Sequence, residues 1–351
     1  CMMQKATMHA DAPSVRVVIV TLDNHLAGLV RHAEASLKPE IPGLSISLHA
    51  ATDWGDNTAA REACIADIGS ADIIIATMLF MEDHFLPILA DLQARREHCD
   101  AMVCAMSAGD VTKLTKIGKL DMSQPASGLM AMLKKLRPSA KDKDGKSKSS
   151  TAGAKQMKML RVIPQMLRFV PGTAQDLRVY FLSLQYWLGG SDENLLNLVR
   201  HVIDCGSQGE RQVLKGLVKA LPPVDYPEVG VYHPRMAGRY AEDVAALPKP
   251  SGAPALGTVG VLLLRSYLLS KNSGHYDGVI AALEARGLRV IPAFAAGLDS
   301  RPAIDAFFMK NGRVTVDAVV SLTGFSLVGG PAYNDAKAAE EVLASLDVPY
   351  V

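Results

Sequence analysis

Short runs of β-branched and apolar residues alternate with segments of helical apolar period along the first hundred residues, and this alternation constrains the fold of the 351-residue chain more than any other feature. A buried strand followed by an amphipathic helix and another buried strand is the βαβ unit, which builds a parallel sheet covered on both faces. Residues 15–22, 44–50, 71–78 and 101–106 read as strands, and 26–37, 58–68 and 82–97 as the helices between and beside them. The run 71–78 is nearly continuous in Ile and Ala, as a strand covered on both sides should be. The pattern returns from Val229. Strands are expected at 229–232, 259–264, 288–291 ending at Pro292, and 318–322, with helices at 276–285, 301–309 and 336–346.

Between the two patterns lies a helical stretch. Leu177, Phe181, Leu184 and Leu188 recur at helical spacing, with Tyr180 and Trp187 beside them and Trp187 expected in the core. Gly189 and Gly190 stop this helix, Ser191 is placed to cap the next, and Asp192 and Glu193 sit in its first turn, where the macrodipole favours anions. Leu195, Leu198, Val199 and Val202 form the second stripe, so two packed antiparallel helices are expected, with His201 facing solvent or a cap. Residues 138–155 (PSAKDKDGKSKSSTAGAK) have no apolar period and read as a disordered basic linker. The fold class is therefore α/β: two doubly wound parallel-sheet domains joined by a helical block. Its parts are an N-terminal α/β domain at 1–137, the linker, the block at 156–222 and a second α/β domain at 223–351.

Composition narrows the function. With 37 Lys+Arg against 36 Asp+Glu, a formal net charge of +1, no general polyanion-binding surface is implied. The longest apolar runs fall far short of the roughly 18 residues that cross a bilayer. Residues 1–5 carry no apolar signal core, which points to a cytoplasmic protein of bacterial origin, with peripheral association at a membrane left open. The five cysteines show no framework spacing and read as reduced thiols. Cys1 in the place of an initiator Met, and a C-terminus that reads as helix, turn and incipient strand, suggest a piece of a longer chain.

No G-x-G-x-x-G follows Leu22 or Leu264, and no G-x-x-x-x-G-K-[ST], H-E-x-x-H, C-x-x-C or G-x-S-x-G occurs. Dinucleotide binding, a P-loop, zinc proteolysis, dithiol chemistry and nucleophile-elbow hydrolysis lose their usual warrants. His98, Cys99 and Cys104 are read as ordinary structural residues, since Cys104 lies within an apolar strand. Candidate binding residues are those following the second domain's strands, because open α/β sheets gather ligands beyond their carboxyl ends. They are His233 and Arg235 after one strand, and Arg265, Tyr267 and His275 after the next. Arg265 is the first choice to grip a carboxylate, by paired hydrogen bonds.

The string Tyr180 to Leu195 (YFLSLQYWLGGSDENL) resembles a long and specific motif of the large, porphyrin-binding subunit of magnesium chelatase. Thr115–Gly118, Val229–Pro234, the run from Gly260 through Ser300, and Ser321–Pro331 are similar to stretches of the same family, so the likeness covers residues 15–346. Tyr333 departs from it, standing where the family has Arg. The resemblance implies the N-terminal portion of a subunit that, in (bacterio)chlorophyll synthesis, holds protoporphyrin IX while Mg²⁺ is inserted. Two partner subunits, an AAA+ ATPase and a relative of it, would bind and hydrolyse ATP. It implies that the catalytic groups lie outside these residues, since the fragment shows no carboxylate–histidine cluster, no metal site and no predicted activity of its own. The absence of a transit peptide favours a photosynthetic bacterium. The large subunit of a cobaltochelatase-type enzyme and a non-catalytic tetrapyrrole-binding or regulatory module are the alternatives.

Overall fold

In strand β1 (Val15–Thr21), six of seven residues are Val, Ile or Thr, side chains stiff at χ1 that suit a pleated surface better than a helix. The computed structural model describes residues 12–124, 162, 164, 173–250, 252–330 and 333–351. The linker expected at 138–155 lies outside them, and of the Tyr333 side chain nothing is described. The chain divides into two units, one holding residues 156–224 with the N-terminal region and one running from Asp225 to Val351.

In the first unit β1 leads through α1 (Ala27–Leu37) to β2 (Leu44–Ala50), α2 (Thr58–Ser70), β3 (Ile73–Thr77), α3 (Glu82–Arg96) and β4 (Ala101–Ala105). A short α4 (Gly109–Thr112) and a tight hairpin, β5 (Lys116–Ile117) and β6 (Leu120–Asp121), follow. The sheet order is β2-β1-β3-β4-β5-β6, parallel through β4 and antiparallel at the hairpin. Ile74, Ala76, Met102 and Cys104 face α2 and α3, whereas Val17, Ile19, Ile73 and Ile75 face α1. Burial pushes the Cys104 thiol up to about 12, so it behaves as a small apolar side chain.

The helix pair completes this unit. Helices α5 (Thr173–Gly189) and α6 (Asp192–Gly206) lie on the α1 side of the sheet, so the helical block is a layer of the first unit and not a separate body. Helix α5 has two apolar faces. Leu177, Tyr180, Phe181 and Leu184 pack over β4 to β6, and Tyr186 packs with α6 beside α1. Burial therefore falls on Tyr180 and Tyr186, while Trp187, expected in the core, is half-buried at its edge. His201 is likewise buried and not solvent-facing: its Nε2–H donates to the Val179 carbonyl at 3.2 Å, and burial lowers its pKa to about 4. An apolar setting penalises the imidazolium.

In the second unit β7 (Val229–Tyr232) and the short β8 (Tyr240–Ala241) precede β9 (Gly257–Leu264), α7 (Arg265–Leu269), α8 (Gly274–Ala285) and β10 (Leu288–Ala295). Then come α9 (Arg301–Phe307), a hairpin of β11 (Met309–Lys310) and β12 (Arg313–Val314), β13 (Ala318–Ser321) and, nearer the C-terminus, α10 (Ala336–Leu346). The order is β13-β9-β10-β7-β8, with β13, β9 and β10 parallel and β7 and β8 antiparallel. Strand β10 runs through Pro292, where it was expected to end; pairing with β7 reaches only to Ala293, so the missing N–H costs at most one ladder bond. Helix α8 covers one face through Tyr276 and Ile280, and α9 and α10 cover the other through Ile304, Phe307, Ala338 and Leu346. Within the sheet Gly260 has no room for a side chain. A Cβ there would lie 2.6–2.8 Å from three atoms of the Phe308 ring.

Candidate functional site

Parallel strands whose connections leave to opposite faces part at their carboxyl ends, and the gap is where such sheets accept ligands. In the second unit β9 leads to α8 on one face, while its neighbours β10 and β13 lead to α9 and α10 on the other. The gap is a small crevice, with a cavity volume of about 10 Å³. Its floor is Leu264, Phe294 and Ala295 at the strand ends, and its polar rim is Asp299, Ser300 and Thr323.

Two loops shape the rim. After β10 the chain turns at Gly297, whose φ of +79° suits glycine, and reaches Asp299. The Asp299 carboxylate accepts from the Arg301 backbone at 3.0 Å and takes its guanidinium in a fork, with Nη2 to Oδ2 at 2.6 Å. After β13, the Thr323 hydroxyl accepts from the Phe325 N–H at 3.2 Å and holds a local turn. The loops are joined where Ser300 N–H donates to the Leu327 carbonyl at 2.9 Å, and Leu327 is buried beneath them. The result is an apolar floor edged by one carboxylate and two hydroxyls.

The five residues singled out in the sequence do not all meet here. Strand β7 runs antiparallel, with Val229 beside Ala295 and Val231 beside Ala293, so the chain leaving it emerges at the amino end of β10. That corrects the expectation that all five lie at carboxyl ends of parallel strands. His233 and Arg235 converge instead on Glu284 near the end of α8. His233 Nδ1 accepts the Arg235 backbone N–H at 3.1 Å, which leaves the proton on Nε2 to be donated to Glu284 at 2.7 Å, while Arg235 reaches the other oxygen at 2.9 Å. His233 is buried and Arg235 exposed.

Arg265, Tyr267 and His275 are at the crevice end. Arg265 is buried, and its guanidinium donates to the carbonyls of Pro227 at 2.8 Å and Tyr226 at 3.1 Å, fixing the segment that enters β7. It ties backbone together instead of presenting a fork to a ligand. Tyr267 and His275 stand edge to face with ring centres 5.7 Å apart, and His275 lies 4.0 Å from the ring of Tyr276, whose hydroxyl accepts from Leu264 N–H at 3.3 Å. His275 is exposed and Tyr267 partly so. Burial pushes the Tyr276 phenol up to about 12, so it remains a neutral anchor. Asp299, Ser300 and Thr323 were not among the residues expected from sequence. Their signal was the position of two glycine-containing loops directly after strands.

At the carboxyl ends of β1 and β3 in the first unit, Asp23 pairs with His25 and the buried Thr77 hydroxyl finds no partner among the described residues. Among the described residues no group of three or more His, Cys, Asp or Glu is arranged to hold a metal ion, and no helix is long and apolar enough to cross a membrane.

Comparison with known proteins adds a second line of observation. Residues 16–181 match a domain of unknown function (DUF3479), and residues 184–351 match the CobN/Magnesium Chelatase family. The H subunit of magnesium chelatase from Cereibacter sphaeroides is 51% identical over 342 residues, covering 97% of this chain and 28% of that protein. The chloroplastic ChlH subunit of magnesium chelatase from Oryza sativa subsp. indica is 32% identical over 356 residues, covering 97% of this chain and 25% of its own length. The chain thus spans about a quarter of the length of the curated relatives it matches. Among solved structures, the catalytic subunit of cobaltochelatase from Mycobacterium tuberculosis aligns at a TM-score of 0.43 and 16% identity, over 97% of this chain and 21% of that one.

Proposed function

With residues 184–351 in the CobN/magnesium chelatase family, we propose that this chain is a portion of the porphyrin-binding subunit of a magnesium chelatase. The observation that carries this reading is the 51% identity along almost the whole chain. In the full protein, Mg²⁺ would enter protoporphyrin IX as the second substrate, and ATP would be hydrolysed on partner subunits, an AAA+ ATPase and a protein related to it. Residues 1–351 alone would not chelate. The groups that take the pyrrole protons and strip water from Mg²⁺, an ion that dehydrates reluctantly, are assigned to the remaining three-quarters of the full-length protein.

Within this chain the tetrapyrrole would meet the carboxyl end of the second sheet. The crevice admits only a small group, so the macrocycle would lie across its mouth, with the exposed His275 and the partly exposed Tyr267 at the same end of the sheet. Arg265 serves this site by position, holding the entry to β7, while His233 and Arg235 brace α8 from the other end through Glu284. Because the family also includes CobN, cobalt is the second reading for the metal, and metal choice by the assembled enzyme separates the two.

The direct test is to titrate protoporphyrin IX into the chain, following porphyrin absorbance because Trp54 and Trp187 both lie in the first unit. The wild type should bind. Tyr267→Ala and His275→Ala should each weaken binding with folding unchanged, and equal binding by both of them would place the tetrapyrrole elsewhere.

A further inference from the structure

The segment 209–224 is pinned to the first unit along its length. Its turn at Gly209–Leu214 drops Leu214 into the core, and Val218 follows it. Gly216 N–H donates to Asp204 at 2.6 Å, and Leu221 N–H to the Asn197 side chain at 3.0 Å. Asn194 then clamps Val224 from both sides, accepting its N–H at 2.8 Å and donating to its carbonyl at 2.9 Å, and the Tyr186 hydroxyl bonds the Leu221 carbonyl. Such a segment has little backbone freedom left. Yet Val213, Leu217 and Leu221 are 57%, 63% and 63% exposed on it.

A single exposed leucine needs no explanation, but three exposed apolar side chains within nine residues, on a segment held by these bonds, call for a partner. We infer that Val213, Leu217 and Leu221 form a docking ridge for the remainder of the same polypeptide. The inference rests on this chain being a portion of a longer protein: the relatives that match it over 95–97% of its length are covered to only 25–28% of theirs. A surface on the same chain is presented at high effective concentration, so a ridge of three side chains suffices where a separate partner would need a larger interface. Preset geometry lowers the ordering cost further.

Lys215 and Lys219 stand exposed between the ridge residues and report on whether it is covered. The experiment is acetylation of lysines by an N-hydroxysuccinimide ester, read by mass spectrometry, on the full-length protein and on the 351-residue chain. Lys215 and Lys219 should label several-fold more slowly in the full-length protein, and Leu217→Asp with Leu221→Asp in that protein should restore fast labelling. Neither substitution should change the melting temperature of the 351-residue chain. Equal labelling in the two proteins overturns the inference. So does concentration-dependent protection in the 351-residue chain, which would make a second copy the occupant, or loss of stability in that chain, which would place the occupant within it. None of these readouts depends on porphyrin binding, so failure here is distinct from failure of the chelatase reading.

Discussion

The helix hairpin of the first unit and the crevice of the second both use polar residues to hold backbone, but only the crevice residues also line a cavity. In the hairpin the buried Ser183, Ser191 and Asn194 of the recognisable motif all hold backbone. Ser191 accepts from Asn194 N–H at 3.1 Å and caps α6, Gly190 turns the chain at a φ of +57°, and Asn194 clamps Val224. Gly189 is required because a Cβ there would fall on the Asn194 amide. At the crevice, Asp299 and Thr323 also hold their own turns, but with Ser300 they border a cavity as well. The stretch that most clearly marks the likeness is thus architectural, and the groups that line the crevice sit in plainer loops.

The sharpest way to break that contrast is at Asn194. Asn194→Ala removes the side-chain clamp and leaves both polar groups of Val224 without their partner, so it should cost about 3 to 4 kcal/mol in urea unfolding. Gly189→Ala, which displaces the same amide, should add little on top of it. Full additivity would mean the two positions do not share one function.

A somewhat smaller effect is expected from acid. The His201 pKa falls from 6.5 to about 4 on folding, so the unfolded chain binds the proton more readily between these values. Its contribution is therefore complete above about pH 6.5 and declines as pH falls towards 4, by about 1.4 kcal/mol per pH unit. Denaturation of wild type and His201→Gln at pH 7 and pH 5 isolates this share as the difference between their slopes. Parallel slopes would show that the ring is solvated.

Arg265 tests the boundary between the two kinds of site. As a clamp on the Pro227 and Tyr226 carbonyls it should cost about 2 to 3 kcal/mol when changed to Met, with any loss of porphyrin affinity following the loss of fold. Weaker porphyrin binding at an unchanged melting temperature would return it to the role first expected from sequence. Asp299→Asn should show the smallest stability change, below about 1 kcal/mol, because its pair with Arg301 is partly exposed. Its measurable effect should be on ligand binding at the crevice.

Most of the fold was legible because burial writes its period into the sequence: the helix at 336–346 and the strands at 44–50 and 229–232 fall where their apolar spacing puts them. Strand direction was not legible. Four residues of β7 carry no mark of antiparallel pairing, and that single fact moved His233 and Arg235 to the far end of the sheet. The burial of Tyr186 in preference to Trp187 was hidden for a related reason: α5 packs on two sides, and one stripe cannot describe two interfaces. The crevice was half visible, its loops notable for their likeness to a family and for not being a P-loop, while the side chains on their rim carried no motif of their own.

Gly260 beneath the Phe308 ring bears on the history of the chain as well as on its packing. A methyl group at 260 collides with the ring, whereas a smaller residue at 308 leaves a cavity that a methyl group at 260 partly refills. Changes at the two positions are therefore ordered. A descendant of this sequence can acquire a side chain at 260 only after the ring at 308 has gone, and in between it must survive with a hole in the centre of its second sheet.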